Sequence, residues 1–234
     1  MFLYIDPIVK LLDGQGDGIN VYTILIRLFV AFLIGFIIGG ERSYKHQNAG
    51  LRTYILVSLG STIAMLVNQF VKDDSDVSRI GAGVITGIGF LGAGSIIVTS
   101  RNQIRGLTTA ATLWVTASLG LATGIGFYTV SLVGLVLVII TLTLLPVIEN
   151  TIINNSRRID LYIELRSDED LKEFVDCLRQ NQVEVLQLVK DEAYTAAKMA
   201  VYTVHILAPV KYKKYKAEIN RMLSFDYINH LEVV

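Results

Sequence analysis

Charged and polar side chains inside apolar runs are the residues of this sequence best placed to do chemistry. Arg27 is the seventh residue of the apolar run that begins at Val21, and Asn68 lies deep in the next run. An arginine at the centre of a membrane helix costs about 2.5–3.5 kcal/mol, so it requires a partner or a function. The Asn68 amide is expected to bond across helices. Both residues are therefore functional candidates.

Further charged candidates mark the ends of the apolar runs. Glu41 is the only acidic residue near one set of helix ends, and an ion pair to Arg52 or Arg105 would close that face of a helix bundle. The arginines at the helix ends have two interpretations, because they either snorkel to the interface and fix topology or take part in function. These end-of-run candidates are Glu41, Arg42, Arg52, Arg79 and Arg105.

The chemistry of these groups bears on cation transport. Mg²⁺ binds oxygen ligands, usually including carboxylates, and the apolar runs contain no carboxylate at mid-depth. Buried arginines repel a divalent cation and suit a phosphate or a lipid headgroup better. We therefore predict no metal site and no cofactor. The sequence also contains no ATP-binding loop, HExxH motif or nucleophile motif, so we predict that the protein is not an enzyme.

The elements that position these residues are apolar runs of about 20 residues, the length that crosses a bilayer as a helix. Hydrophobic residues make up 52% of the chain, and its mean hydropathy is +0.51. The predicted fold is an α-helical membrane bundle of five transmembrane helices. The five predicted spans are Val21 to Gly40, Leu51 to Phe70, Ile80 to Ser100, Leu107 to Gly124 and Phe127 to Ile148.

Small residues set the third and fourth runs apart from ordinary membrane anchors. The third run carries six glycines, among them Gly83 and Gly87 in a GxxxG pattern. Either they allow tight packing inside the bundle, or they break or loosen a helix that lines a ligand or ion path. The fourth run is rich in hydroxyl side chains, which bond a neighbouring helix or their own preceding turn. Its Trp114 lies mid-span and is expected to pack in the bundle.

The distribution of charge gives an orientation and excludes one class of partner. With five spans, every loop rich in Lys and Arg lies on one side, which places the N-terminus outside and the C-terminus in the cytoplasm. The 21 basic and 21 acidic residues cancel, so nucleic-acid binding is not supported. One cysteine, Cys177, excludes a disulfide within the chain.

Charged residues return at ordinary density after Arg157 and predict a small α+β domain. Alternating patterns and amphipathic helices follow one another in the order β-α-β-β-α-β, the ferredoxin-like arrangement. It is similar to ACT domains, which often bind a metabolite at a dimer interface. Its predicted role is either dimerisation or the binding of a ligand in a sensor pocket. The predicted regions are residues 1–20 (extracytoplasmic), 21–150 (transmembrane) and 157–234 (cytoplasmic, ACT-like).

Three segments of the membrane region resemble a known family. GGERSYKHQNAGLRTYILVSLGS at residues 39–61, RIGAGVITGIGFLGAGSII at 79–97 and IRGLTTAATLWVTASLGLATGIGFY at 104–128 resemble successive signatures of MgtC/SapB membrane proteins. The likeness covers residues 21 to about 148. One departure is Tyr54, where many members have histidine. The positions that the resemblance singles out are Glu41, Arg42, Arg52, Thr53, Gly89, Gly92, Gly94, Arg105, Thr108 and Thr109.

The resemblance implies a multi-pass protein of the bacterial inner membrane, linked to growth in low magnesium and, in pathogens, to survival inside macrophages. It implies a regulator that acts through membrane partners, and one proposed partner is the F-type ATP synthase. The alternative is a channel or transporter for Mg²⁺ or another ion, with the glycine-rich third helix lining the path. Other expected partners are the lipid bilayer and a second copy of the chain, as a homodimer or other homo-oligomer. A ligand of the C-terminal domain is not identified.

Overall fold

The computed structural model describes Ile8 and residues 20–71, 77–99, 103–190, 200–222 and 225–233. The predicted extracytoplasmic segment therefore lies almost entirely outside the described residues. The chain forms two compact units, residues 1–143 and residues 144–234. The first unit is helical, and the second contains a four-stranded sheet.

The described part of the first unit contains five helices and two short strands. Three apolar runs are long enough to cross a membrane by length and composition, namely Val21–Tyr44, Leu51–Phe70 and Tyr128–Asn155, and Arg79–Gly94 is a shorter apolar helix. The chain is thus a membrane protein with at least these candidate spans. The elements are α1 (Val21–Tyr44), α2 (Leu51–Val71), α3 (Val77–Gly94), β1 (Ile97–Val98), β2 (Ile104–Arg105), α4 (Leu107–Ile125) and α5 (Tyr128–Thr143).

Side chains define the first helix and its link to the second. Asn20 caps α1 in a capping box, because its Oδ1 accepts from the Thr23 backbone N–H while the Thr23 hydroxyl oxygen accepts from the Asn20 N–H. At the other end, the Ser43 hydroxyl accepts from the backbone N–H of Leu51, the first residue of α2. This bond satisfies a free N–H at a helix start and fixes the short turn between α1 and α2.

Close backbone contact holds α1, α2 and α4 together. A methyl group placed on Gly35 of α1 would lie 2.6 Å from the Ile55 α-carbon of α2. One placed on Gly120 of α4 would lie 2.6 Å from the Ser58 carbonyl oxygen, also in α2. Small residues at such interfaces allow helix backbones to approach each other. In a membrane the hydrophobic effect does not drive helices together, so van der Waals contacts stabilise their packing instead. The glycines in closest contact with the backbone of a neighbouring helix therefore lie in α1 and α4.

Tight packing, one of the two interpretations of the third-run glycines, is found only at Gly92 and at Gly81, where an added methyl group would lie 3.5 Å from the Met65 Cε of α2. Methyl groups placed on Gly83, Gly87, Gly89 or Gly94 would meet nothing within 4 Å, whereas one on Gly92 would touch Ala110 of α4. Helix α3 contacts α4 with one glycine and leaves most of its small-residue surface open.

The predicted third span is also too long. Helix α3 ends at Gly94 and is followed by two short antiparallel strands, in which Ile97 pairs with Arg105 and Val98 with Ile104. The run from Ile96 to Thr99 is β-branched throughout, which favours strand over helix. Gly106 follows the second strand with φ +95° and lies so close to the Ser95 carbonyl oxygen that a side chain does not fit.

Pro146 divides the last apolar run. The run continues from α5 into α6 (Leu145–Asn155), with Pro146 in the first turn of α6. Proline lacks an N–H and its ring excludes the carbonyl four residues earlier, which here is Leu142. The fifth predicted span therefore ends as a regular helix at Thr143.

The second unit confirms the predicted order β-α-β-β-α-β. All strand pairings are antiparallel, in the order β4-β5-β3-β6. Side chains from the strands and both helices fill its core, including Leu161, Ile163, Phe174, Val204 and Ile219. Its elements after α6 are β3 (Arg158–Leu165), α7 (Asp170–Gln180), β4 (Glu184–Lys190), β5 (Ala200–Leu207), α8 (Tyr212–Met222) and β6 (Ile228–Val233).

Replacing Gly120 should separate α2 from α4. We expect Gly120→Ala to destabilise the helical unit by about 1–3 kcal/mol, because its methyl group overlaps the Ser58 backbone. Gly83→Ala is the matched control and should be neutral or slightly stabilising, since its methyl group enters open space. The loss of helical circular dichroism on heating in detergent measures both. Equal unfolding temperatures for the two variants would contradict this packing.

Candidate functional site

A buried charge of the helical unit lies where α1, α2 and the end of α4 meet. Arg27 of α1 is 8% exposed. Its Nη1 donates to the Gln69 Oε1 of α2 at 2.7 Å and to the Gly124 carbonyl oxygen of α4 at 2.8 Å. The Gln69 Nε2 in turn donates to the Ile125 carbonyl oxygen at 3.4 Å. Arg27 thus joins three helices through one network, which we call the Arg27 end of the unit.

The end of α4 explains why a cation is stable there. The last carbonyl groups of a helix lack helical partners and carry the negative end of its dipole. Gly126, with φ +91°, terminates α4, and a methyl group at its α-carbon would lie 3.0 Å from Nη2 of Arg27. The guanidinium therefore packs directly on the terminating glycine. The absence of a Cβ at residue 126 makes room for it.

A second cluster lies at the opposite end of α1, which we call the Lys45 end. Arg42 is 4% exposed, and its Nε and Nη2 donate to the two carboxylate oxygens of Glu41 at 2.5 and 2.9 Å. The Lys45 Nζ also lies 2.8 Å from Glu41 Oε1, one turn along the same helix. The predicted pairing of Glu41 with Arg52 or Arg105 is therefore wrong, because nearer cations on α1 satisfy its carboxylate.

Lys45 also donates a hydrogen bond to a carbonyl oxygen that has no donor within its own helix. Its Nζ donates to the Leu142 carbonyl oxygen at 2.5 Å. Because Pro146 has no N–H to offer Leu142, that carbonyl has no helical donor four residues later. Lys45 therefore does for the end of α5 what Arg27 does for the end of α4. Arg27 in α1 and Lys45 directly after α1 thus each bind a helix carbonyl oxygen that has no helical donor.

Hydroxyl groups fill the polar positions between these two ends. The Thr112, Thr116 and Thr123 hydroxyls donate to carbonyl oxygens one turn earlier in α4. Other bonds cross between helices: the Thr62 hydroxyl donates to the Gly120 carbonyl oxygen at 2.8 Å, and the Ser131 hydroxyl of α5 lies 3.0 Å from Thr123 Oγ1 and 3.3 Å from the Leu119 carbonyl oxygen. The hydroxyls of the fourth run were predicted to bond either a neighbouring helix or their own preceding turn, and most α4 hydroxyls donate within their own helix.

The other predicted candidates do not join one site. Asn68 is buried, and its Nδ2 donates to the Met65 sulfur of its own helix. Trp114 is 46% exposed, so the prediction that it packs in the bundle is wrong. Exposed candidates are Arg52, Thr53, Arg79, Gly89, Gly94, Arg105 and Thr108, whereas Gly92 and Thr109 are buried.

Sequence comparison places this arrangement among known proteins. The sequence profile of the MgtC family matches residues 28–151, more than half of the chain. The chain belongs to the MgtC family. Among its relatives it is 38% identical to "Putative magnesium transporter YhiD" of Escherichia coli (strain K12) over 145 residues. It is 39% identical to SapB of Bacillus subtilis (strain 168) over 131 residues and 44% identical to MgtC of Brucella abortus (strain 2308) over 109.

These matches define which parts the chain shares with the MgtC family. They cover 58%, 53% and 47% of this chain, and 67%, 56% and 45% of YhiD, SapB and MgtC respectively. The chain thus spans about half the length of SapB and MgtC. The profile includes the Lys45 end, Gln69 and Gly124, and begins one residue after Arg27. No solved structure matches the chain at a significant level.

Outside the part matched to the MgtC profile, the turn after β3 carries its own polar cluster. Asp168 accepts from the Lys190 Nζ and from the Tyr202 hydroxyl, each at 2.6 Å. The Lys190 ammonium, with help from Tyr202, holds the pKa of the Asp168 carboxyl below its usual value. In the part of the chain that the structure describes, no group of three or more His, Cys, Asp or Glu side chains is placed to hold a metal ion.

Sequence reasoning missed Gln69, Lys45 and the carbonyl groups that the α1 cations bind. Pro146 was an available signal, because a proline four residues later leaves the Leu142 carbonyl without a helical N–H donor. Nothing in the sequence names the donor that reaches this oxygen. For Gly124 the glycines that end α4 give a similar hint, since helices commonly terminate at glycine.

Removing the Arg27 guanidinium should weaken the bundle and the function together. We expect Arg27→Ala to insert normally but to lose about 1.5–3 kcal/mol of stability, because the Gly124 carbonyl oxygen loses a charged donor. Growth of cells that depend on this chain in low magnesium should also fall. Gln69→Leu should lose less, and adding it to Arg27→Ala should cost little more, since both act in one network. Wild-type stability and growth of Arg27→Ala would remove Arg27 from the site.

Proposed function

We propose that this chain is a non-enzymatic regulator in the bacterial inner membrane that supports adaptation to low magnesium through contacts with other membrane proteins. The observation that carries this proposal is the contact of α4 with α2. A methyl group at Gly120 or Gly124 would overlap the backbone of α2 at 2.6–2.8 Å. Such contact leaves no room for an ion between these helices and favours a packed bundle over a conduit. The F-type ATP synthase is the candidate partner that the family resemblance implies.

Transport is the competing function, and the name of YhiD refers to it. The buried side chains bear on this choice. Arg27 is a fixed cation, and the α4 hydroxyls donate to carbonyl oxygens of their own helix. A site for Mg²⁺ requires oxygen ligands that are free to replace water. The observed bonding supports regulation over Mg²⁺ passage.

We also propose five membrane-spanning helices, with the Lys45 end in the cytoplasm. Contacts support an alternation of helix direction, since Gln69 and Gly124 meet Arg27 whereas Leu142 meets Lys45. Helices α3 and α4 would then cross as shorter or less apolar helices protected by their neighbours. Arg42, Lys45, Arg52 and Arg105 all belong to the Lys45 end, and basic residues favour the cytoplasmic side.

We propose further that the second unit is an ACT-like cytoplasmic module that makes the chain a homodimer. The β-α-β-β-α-β order supports this, although such a fold serves many functions. In the turn after β3, Asp168 is already bound by Lys190 and Tyr202. Dimerisation is therefore favoured over a small-molecule site at this turn. Cross-linking of the full chain in membranes tests it, and a purely monomeric product would reject it.

Reconstitution separates regulation from transport. In proteoliposomes loaded with a magnesium indicator, we expect the wild-type chain to give no saturable Mg²⁺ uptake. Co-reconstituted with F-type ATP synthase, it should change ATP-driven proton pumping, and Arg27→Ala should do so less. Saturable Mg²⁺ uptake that Arg27→Ala abolishes would reverse the assignment. Unchanged pumping would exclude the ATP synthase as partner while leaving the regulatory function to other membrane complexes.

Reporter fusions test the orientation. A fluorescent protein fused after residue 234 should fold and fluoresce, because it would remain in the cytoplasm. Alkaline phosphatase at the same position should be inactive, whereas a fusion truncated after residue 71 should be active in the periplasm. The opposite pattern would invert the topology. Activity at both positions would mean that the number of crossings is even.

A further inference from the structure

A groove between α2 and α3 runs along the helical unit towards the Lys45 end. It consists of two overlapping cavities of about 550 and 370 Å³, which share Thr53, Val57, Ile88 and Leu91 as lining residues. Volumes of this size fall within the roughly 300–1,000 Å³ of small-molecule sites. Its walls are almost entirely apolar.

Glycines keep the groove open. Gly60 of α2 and Gly87 of α3 line its middle, and a methyl group on either would meet nothing within 4 Å. At the Lys45 end, Gly94 has the same open space and lies beside Ser95 and Asn48. The groove is thus mostly apolar along its length, and Asn48 and Ser95 give it a polar mouth at this end.

Two arginines are sequence neighbours of residues at or next to the polar mouth. Arg52 precedes Thr53, which lines both cavities, and Arg105 precedes Gly106, whose α-carbon lies against the Ser95 carbonyl oxygen. Both arginines are exposed, and among the described residues neither has a carboxylate partner, the Arg105 Nη2 donating only to Gln103 at 3.3 Å. Two positive charges therefore lie next in sequence to residues at or beside the mouth, without a carboxylate partner among the described residues.

We propose that the groove binds an anionic phospholipid, with one acyl chain between α2 and α3 and the phosphate at Arg52 and Arg105. An apolar groove with two exposed arginines next in sequence to residues at or beside its polar mouth matches a molecule with a hydrocarbon chain and an anionic head. Arginine suits the headgroup because its planar donors bind phosphate oxygens in pairs. The inference is independent of whether the chain regulates or transports.

Charge argues for a lipid over a second copy of the chain in this groove. Two copies in one membrane share the same orientation, so pairing through the groove would bring two sets of Arg52 and Arg105 to one level. Four like charges would then repel each other, whereas a phosphate group neutralises them. A lipid also fills a groove that is open to the bilayer without the ordering of a partner protein.

Native mass spectrometry of the full-length chain in detergent tests the proposal with two probes of equal chain length. Dioleoyl phosphatidylglycerol should bind about thirtyfold more tightly than dioleoyl phosphatidylcholine, because two arginines near an anionic lipid contribute about 1 kcal/mol each. Arg52→Gln with Arg105→Gln should abolish the preference. Arg158→Gln, an exposed arginine of the second unit, is the charge control and should leave it unchanged.

Groove-filling variants test the position of the acyl chain. Gly87→Leu should weaken the binding of both lipids, because the leucine side chain enters the groove. Gly83→Leu is the matched control on the same helix, since Gly83 is exposed and is not a lining residue, and it should bind like the wild type. Circular dichroism of both variants shows whether the fold is retained.

Three results would overturn the proposal. The first is equal binding of the two lipids by the wild type. The second is an unchanged preference in the double arginine variant. The third is a wild-type dimer that Gly87→Leu converts to a monomer with lipid binding unaffected, which would assign the groove to a second copy.

Discussion

Direct contact between helix backbones is the constraint on which the helical unit depends. Gly120 and Gly124 bring α4 against the backbone of α2, and Gly35 brings α1 against α2. At this separation, the Thr62 hydroxyl reaches the Gly120 carbonyl oxygen and the Arg27 guanidinium reaches that of Gly124. A larger residue at either α4 glycine would move these carbonyl groups away from their donors. The polar network is therefore a consequence of the packing, and the packing comes from the absence of side chains.

The fold could be predicted from sequence where periodicity and composition act locally. The first two predicted helices begin at the observed residues because capping groups and apolar length define them, and the alternating strands of the second unit appear in the predicted order. The prediction for the third run was wrong at its C-terminal end, because hydropathy does not distinguish a helix from strands of β-branched residues. Glycine content likewise did not reveal which helix face has a neighbour, since that depends on the partner.

The candidate site was only partly accessible from sequence for a similar reason. Arg27 was identified because a buried cation is costly anywhere in a membrane, independent of fold. Its acceptors are a backbone oxygen of α4 and an amide of α2, and neither leaves a distinctive pattern in the sequence. The Glu41 prediction failed because distant arginines were considered while Arg42 and Lys45, on the same helix, were closer. Local helical geometry decided the ion pair.

The two carbonyl-binding cations lie 18 residues apart in sequence, with Arg27 in the second turn of α1 and Lys45 directly after its last residue. At 1.5 Å per residue this spacing is about 27 Å, close to the roughly 30 Å of a hydrocarbon core. Each cation is held by the end of a different helix, so neither can slide along the membrane normal without breaking its bond. The distance between the two cations therefore corresponds to about one hydrocarbon thickness, and a thicker or thinner membrane would require the helix to tilt or the bilayer to deform.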